Sequence, residues 1–162
     1  KDRFMRSPDS PVPAGQRASF PPLPYFAIDP AYRVPAMLRP VTSGAPIDML
    51  TSTGQYRKMR RVRTLAFTLN GHRLTLGAFV EASEADLRRL FVPFGDLTNG
   101  PETYPGGRYL ELDRTATSVY DLDFNRAYHP YCVYDPSYVC PVPPRENRLT
   151  VAVKAGERVA SN

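Results

Sequence analysis

The distribution of proline constrains this chain more than any other feature. Ten prolines fall between Pro8 and Pro46 and eight between Pro93 and Pro144, with none across residues 47–92. Proline fixes φ and donates no backbone hydrogen bond, so regular helices and central strands are pushed into the proline-free middle. One long helical bundle is excluded. The middle is patterned with period two: Val62, Thr64, Ala66 and Thr68 alternate with Leu65, Phe67 and Leu69. Asn70-Gly71 follows, and residues 72–80 return with Leu74, Leu76, Ala78 and Val80 on one face. Asn-Gly supplies the two positive φ values of a type I′ turn, which predicts a β-hairpin here.

Shorter runs flank the hairpin. Residues 31–38 read as a strand that Pro35 restricts to a sheet edge. Residues 47–51 and 55–59 surround the turn Ser52-Thr53-Gly54, while residues 90–94, 108–112, 119–124 and 147–154 have strand character. In the last, Leu149, Val151 and Val153 alternate with Arg148, Thr150 and Lys154. Residues 83–86 allow one helical turn. Upstream, residues 1–20 allow two short helical turns, with Pro13 suited to the first position of one. Phe20-Pro-Pro-Leu-Pro-Tyr25 must be extended, which predicts an arm laid along the sheet with Leu23, Tyr25 and Phe26 as anchors. Eight or nine short strands predict an all-β fold: a single antiparallel β domain, built as a barrel-like roll or a two-sheet sandwich. The expected division is an N-terminal arm (1–30), a β core (31–154) and a C-terminal tail (155–162). At 162 residues, one domain with a real core and no covalent staples is the expectation.

Lys and Arg number 21 against 16 Asp and Glu, a formal charge of +5. That permits acidic partners. The densest run is Arg57, Lys58, Arg60, Arg61 and Arg63. On a strand, Arg57, Arg61 and Arg63 share a face opposite Lys58 and Arg60, so the charge is divided and guards against edge pairing. With no zinc finger, basic helix or RNP-type aromatic pattern, nucleic acid is not the expected partner. No apolar run is long enough to predict a membrane-spanning helix. No cationic-apolar leader is visible, and the compartment stays open with a slight lean to the cytoplasm. Cys132 and Cys140, with seven residues between them, would close a small disulfide loop in an oxidising compartment and stay thiols in a reducing one. Neither a cofactor nor an oligomeric state is indicated.

Two loops concentrate the chemistry. Residues 94–108 carry Asp96, Thr98, Asn99, Glu102, Thr103, Tyr104 and Arg108 among four glycines. Glycine lets several N–H groups turn toward one concavity, which suits an anion, but neither phosphate-loop signature is complete. The competing reading is a self-capped loop, with Asp96 and Thr98 on backbone groups and Glu102 paired to Arg108. Residues 123–148 carry Asp123, Asn125, Arg126, Tyr128, His129, Tyr131, both cysteines and Arg148. Such a long, aromatic loop is either functional or a structured cover whose Asp123 and Arg126 pair. The spacing H-x2-C-x7-C fits no strong zinc pattern, so no metal site is expected. The two histidines, His72 and His129, offer little to a cysteine nucleophile. Asp96, Glu102, Asp123 and Glu146 are candidates for acid–base work only if two of them meet.

The run DFNRAYHPYCVYDPSYVCPVPPRENRL, followed by VAVKAGER, resembles the signature of the bacterial and archaeal domain of unknown function 1684 family. RSPDSPVP, LPYFAIDPAYR, TSTGQYRKMRRV and PFGDLTNGPETYPGGRYLEL match the same family in order, over almost the whole chain. The resemblance implies no activity. The family pattern more often carries asparagine at position 129, so it lends His129 no essential role.

The leading expectation is a small-ligand or anion-binding β domain with its pocket between loops 94–108 and 123–148. Asp96, Thr98, Glu102, Tyr104, Arg108, Asp123, Asn125, Arg126, Tyr128, Tyr131 and Arg148 are the candidate ligand-binding residues. In this reading Arg108, Arg126 and Arg148 hold an anionic group while Tyr104, Tyr128 and Tyr131 flank an apolar body. The alternatives are a hydrolase using the acids of the same loops, and an interaction module using the N-terminal arm and an exposed edge strand.

Overall fold

The computed structural model describes residues 1–41, 44–113 and 115–160; the last two residues of the expected tail lie outside them. The strands are β1 (Arg33–Pro40), β2 (Pro46–Leu50), β3 (Tyr56–Leu69), β4 (His72–Glu81), β5 (Arg89–Phe94), β6 (Arg108–Asp113) and β7 (Val119–Asp123). They form one antiparallel sheet in the order β6-β5-β4-β3-β1-β7, with β2 also on β3. The long β3 makes this arrangement work: its first half pairs with β2 and its second half with β1, while β4 runs along its other side. Tyr109 of β6 and Tyr128, five residues beyond β7, exchange backbone hydrogen bonds of 2.9 and 3.1 Å. That bridge brings the two ends of the sheet together in a nearly closed barrel, the all-β roll expected.

The Asn70-Gly71 turn has φ of 49° and 80°, as a type I′ hairpin requires. Leu65, Leu69, Leu76, Ala78 and Val80 of that hairpin are buried in the barrel with Val92, Phe94, Leu110, Leu122 and Phe124. Three expectations about strands are corrected. Strand β1 is interior, between β3 and β7; pairing with β3 begins only at Ala36, so Pro35 has a ladder on one side alone. Strand β3 carries a bulge between Arg61 and Arg63. The inserted Val62 moves Arg63 opposite the inward-facing Ala78, whereas Arg61 faces the outward Phe79, so Arg63 does not share a face with Arg57 and Arg61. Residues 147–154 are not a strand. Leu149, Val151 and Val153 do point inward, but this segment lies against residues 95–97, where Leu149 N–H donates to Gly95, Leu97 N–H to Val151, and Val153 N–H to the Asp96 side chain. Its partners are the backbone of a loop and, at Val153, a side chain in place of the next ladder bond.

The N-terminal arm holds two short helices, α1 (Asp2–Met5) and α2 (Ala14–Arg17). Met5, Val12 and Leu23 form a small cluster under Phe20 and Tyr134, so the arm rests on the 123–148 loop and the chain end rather than along the sheet. Phe26 N–H donates to Gly156, and the Arg158 guanidinium lies 5.3 Å from the Phe26 ring. Tyr25, 43% exposed, anchors through its backbone, bridged to Glu157.

Candidate functional site

The 94–108 loop turns its polar groups inward. Asp96 Oδ1 accepts from Thr98 N–H at 2.8 Å, Thr98 Oγ1 at 2.6 Å and Val153 N–H at 3.1 Å, and Oδ2 accepts from Arg108 Nη2 at 2.9 Å. Arg108 is fully buried and also donates to the carbonyls of Val153 at 2.7 Å, Glu157 at 3.2 Å and Ala155. Burial lowers the pKa of this guanidinium and the Asp96 charge opposes that. Thr98 shares a hydrogen bond with Thr103, and Glu102 meets Lys154 at 3.1 Å rather than Arg108. Gly107, at φ 91°, is required by contact: a Cβ there would lie 2.6 Å from Pro143 and 2.7 Å from the Phe94 carbonyl.

A second buried hub adjoins the first. Glu157 is fully buried; its carboxylate accepts from Lys1 Nζ at 2.7 Å, from the His129 backbone N–H at 2.9 Å and from the Tyr134 hydroxyl. His129 Nε2 accepts from Tyr104 N–H at 3.2 Å, and Nδ1 lies 3.7 Å from Glu157. Burial pushes the imidazole pKa down to about 4, so His129 is neutral, consistent with an Nε2 that must accept. Asn147, also fully buried, ties β4 to β5 through Gly77 N–H, the Gly77 carbonyl and the Pro93 carbonyl at 2.7, 2.9 and 2.6 Å.

An open cleft lies elsewhere. Phe79, Phe91 and Tyr109 stand on the outer face of the sheet, and the chain through residues 128–141 passes over them. Between sheet and loop lies a cavity of about 470 Å³ open to solvent, within the size range of small-molecule sites. Phe91 and Tyr109 meet edge to face at 4.7 Å, Tyr109 and Tyr128 at 5.8 Å, and Tyr131 and Tyr138 at 5.5 Å. Tyr109 donates its hydroxyl to the Pro141 carbonyl, and burial raises its pKa. Charged groups fringe the mouth: Arg57 meets Glu81 at 3.3 Å, Arg89 meets Glu111 at 3.4 Å, and Tyr128 donates to Glu111 at 3.1 Å.

Of the eleven candidates read from sequence, Tyr128 and Tyr131 line this cleft. Asp96, Thr98 and Arg108 belong to the buried network, and Tyr104 packs between His129 and Cys132. Asp123 caps Asn125, which in turn exchanges hydrogen bonds with the Asp29 backbone at 3.0 and 2.9 Å, holding the arm. Arg126 and Arg148 are exposed, and Arg148 flanks Gly95. Glu146 pairs with Arg61 at 3.7 Å, so no two of the four candidate acids meet. No cluster of three His, Cys, Asp or Glu side chains able to hold a metal occurs among the described residues. Phe79, Phe91, Tyr109, Arg89 and Glu111 escaped the sequence reading. A signal existed: Ala78-Phe79-Val80 and Phe91-Val92-Pro93-Phe94 are continuous apolar runs, the mark of strands covered on both faces.

The family model for proteins of unknown function DUF1684 matches residues 18–158. The chain is also similar to an uncharacterized protein of Haloarcula marismortui solved in solution by NMR. The two are 42% identical over 98% of this chain and 88% of that one, with a TM-score of 0.76. No curated protein matches. No helix among the described residues is long and apolar enough to cross a membrane.

Proposed function

We propose that this chain, which belongs to the protein of unknown function DUF1684 family, is a small-ligand-binding β domain. Its ligand is a flat, largely apolar molecule held in the cleft between the outer sheet face and residues 128–141. The observation that carries this reading is the wall itself: Phe91, Tyr109, Tyr128, Tyr131 and Tyr138 line one open cavity. Aromatic rings offer large contact area with few rotors to immobilise, and they prefer edge or offset contact with other rings. At the fringe Arg57 and Arg89 each face a carboxylate and Glu84 adds a third acid, which favours a ligand with a polar edge over a simple anion.

A small-molecule fragment screen followed by two-dimensional NMR tests it. Binders are expected to shift the amides of Phe91, Tyr109 and Tyr138, and Tyr138→Ala and Arg89→Ala to weaken them about tenfold or more. Arg126→Ala, away from the cleft, should change nothing. A screen whose binders all perturb other regions, or bind Tyr138→Ala and Arg89→Ala as well as the parent, overturns the assignment.

A further inference from the structure

We propose that Cys132 and Cys140 are a thiol–disulfide modification site, converted by small-molecule disulfides of the glutathione class into an intramolecular bond that locks one wall of the cleft. The inference does not rest on the ligand reading, because it concerns only the two sulfurs and the loop between them.

The fold returns the chain on itself between these residues. Cys132 sits in a 3-10 turn (Tyr131–Val133). Asp135 then closes the next bend, accepting from Ser137 N–H at 2.9 Å through its side chain and from Tyr138 N–H at 3.1 Å through its carbonyl. Cys140 is pinned to the turn after β2: Ser52 N–H donates to its carbonyl at 2.8 Å, and its own N–H donates to Ser52 Oγ at 3.1 Å. As a result Cys132 N–H donates to Cys140 Sγ at 3.3 Å, while the Cys132 thiol is directed at the Tyr104 hydroxyl, 3.8 Å away. The Cys140 sulfur thus already lies against the Cys132 backbone, and the movement a disulfide asks for is a rotation of the Cys132 side chain away from Tyr104.

Exposure orders the chemistry. Cys132 is partly exposed, while Cys140 is buried and its thiol is pushed up to about 11 by that burial. The Cys132 thiolate therefore attacks first, forming a bond to one sulfur of the small disulfide, breaking its S–S bond and releasing one small thiolate that takes up a proton. Cys140, losing its proton to solvent, then attacks the Cys132 sulfur and expels the second small thiolate, which is protonated in turn. Two protein thiols are oxidised and one small disulfide is reduced to two thiols. Tyr138 and Val139, both lining the cleft, lie inside the closed loop.

The test is equilibration of the full chain in a series of reduced and oxidised glutathione, with alkylation, intact mass and a peptide map. The expected result is a mass loss of two hydrogens, a single crosslinked peptide joining Cys132 to Cys140, and a Tm higher by roughly 5 °C. Cys140→Ser should instead accumulate a mixed disulfide on Cys132, and Cys132→Ser should leave Cys140 unmodified. Circular dichroism checks that both variants fold, and the wild-type peptide map decides the matter by itself if either does not. Two alkylatable thiols at the most oxidising ratio, adducts without a crosslink, or intermolecular dimers would each overturn the proposal.

Discussion

Two regions built from the same dense loops behave in opposite ways. Around Arg108, Asp96, His129 and Glu157 the polar groups bind one another and are sealed from water, with Arg108 Nε left without a hydrogen-bond partner among the described residues. Across the sheet, beneath residues 128–141, rings stand in an open cleft with charges only at its edge. The comparison teaches that a loop crowded with Arg, Asp, Asn and Thr can spend all of that chemistry on holding itself together. The buried region should be sensitive in stability, and the cleft nearly silent in stability but sensitive in binding.

The largest expected effect is at the buried pair. Arg108→Met leaves Asp96 charged and uncompensated, and should cost about 3–5 kcal/mol in chemical denaturation. Combining it with Asp96→Asn should cost less than the two single changes summed. A change under about 1 kcal/mol for the single variant would erase the contrast, since exposed ion pairs are worth that little.

Acid should act on the same region. In the unfolded chain His129 takes up a proton near its ordinary 6.5, and in the fold only near 4. The unfolded state thus binds more protons between these values, and stability is fully present above the window and falls as pH drops through it. The loss approaches ~3 kcal/mol by pH 4, because burial opposes the charged imidazole, and a protonated Nε2 also cannot accept from Tyr104 N–H. His129→Asn should flatten that part of the stability–pH curve; an unchanged slope would place the acid sensitivity elsewhere.

Asn147→Ala strands three backbone groups on β4 and β5 and should cost about 2 kcal/mol, read from urea midpoints. Smallest of all, Tyr138→Ala should move stability by under about 0.5 kcal/mol, while abolishing most of the binding found by the screen. If it destabilises like Asn147→Ala, the cleft wall is part of the scaffold.

The scaffold was legible where local rules are strong. Asn70-Gly71 and the alternation on either side of it dictated the hairpin, and Ser52-Thr53-Gly54 the turn before it. Val62 was not legible, because a single inserted residue leaves no mark in a period-two pattern until the partner strand is known. Residues 147–154 alternate as a strand would, but their partners are the backbone of a loop at Gly95 and Leu97 and, at Val153, the Asp96 side chain, which pattern reasoning does not consider. The polar candidates were located by type and proximity in sequence, and burial then separated them. Alternation puts Arg108 on the face of Leu110 and Leu112 and Arg89 on the face opposite Leu90 and Val92, but it does not say that a guanidinium on the inward face is sealed among backbone carbonyls.

Among the described residues the barrel is sewn shut by one bridge of two hydrogen bonds, between Tyr109 and Tyr128, and the rings of both residues line the cleft. A seam this narrow opens without breaking any full ladder, so its amides exchange with solvent by a local event, ahead of those at Leu65 and Leu76 in the middle of the sheet. An occupant resting on both rings would act as a suture. Hydrogen exchange at Tyr109 and Tyr128 should slow with occupancy while the central amides keep their rates, and equal slowing at both places would show that the seam does not open by itself.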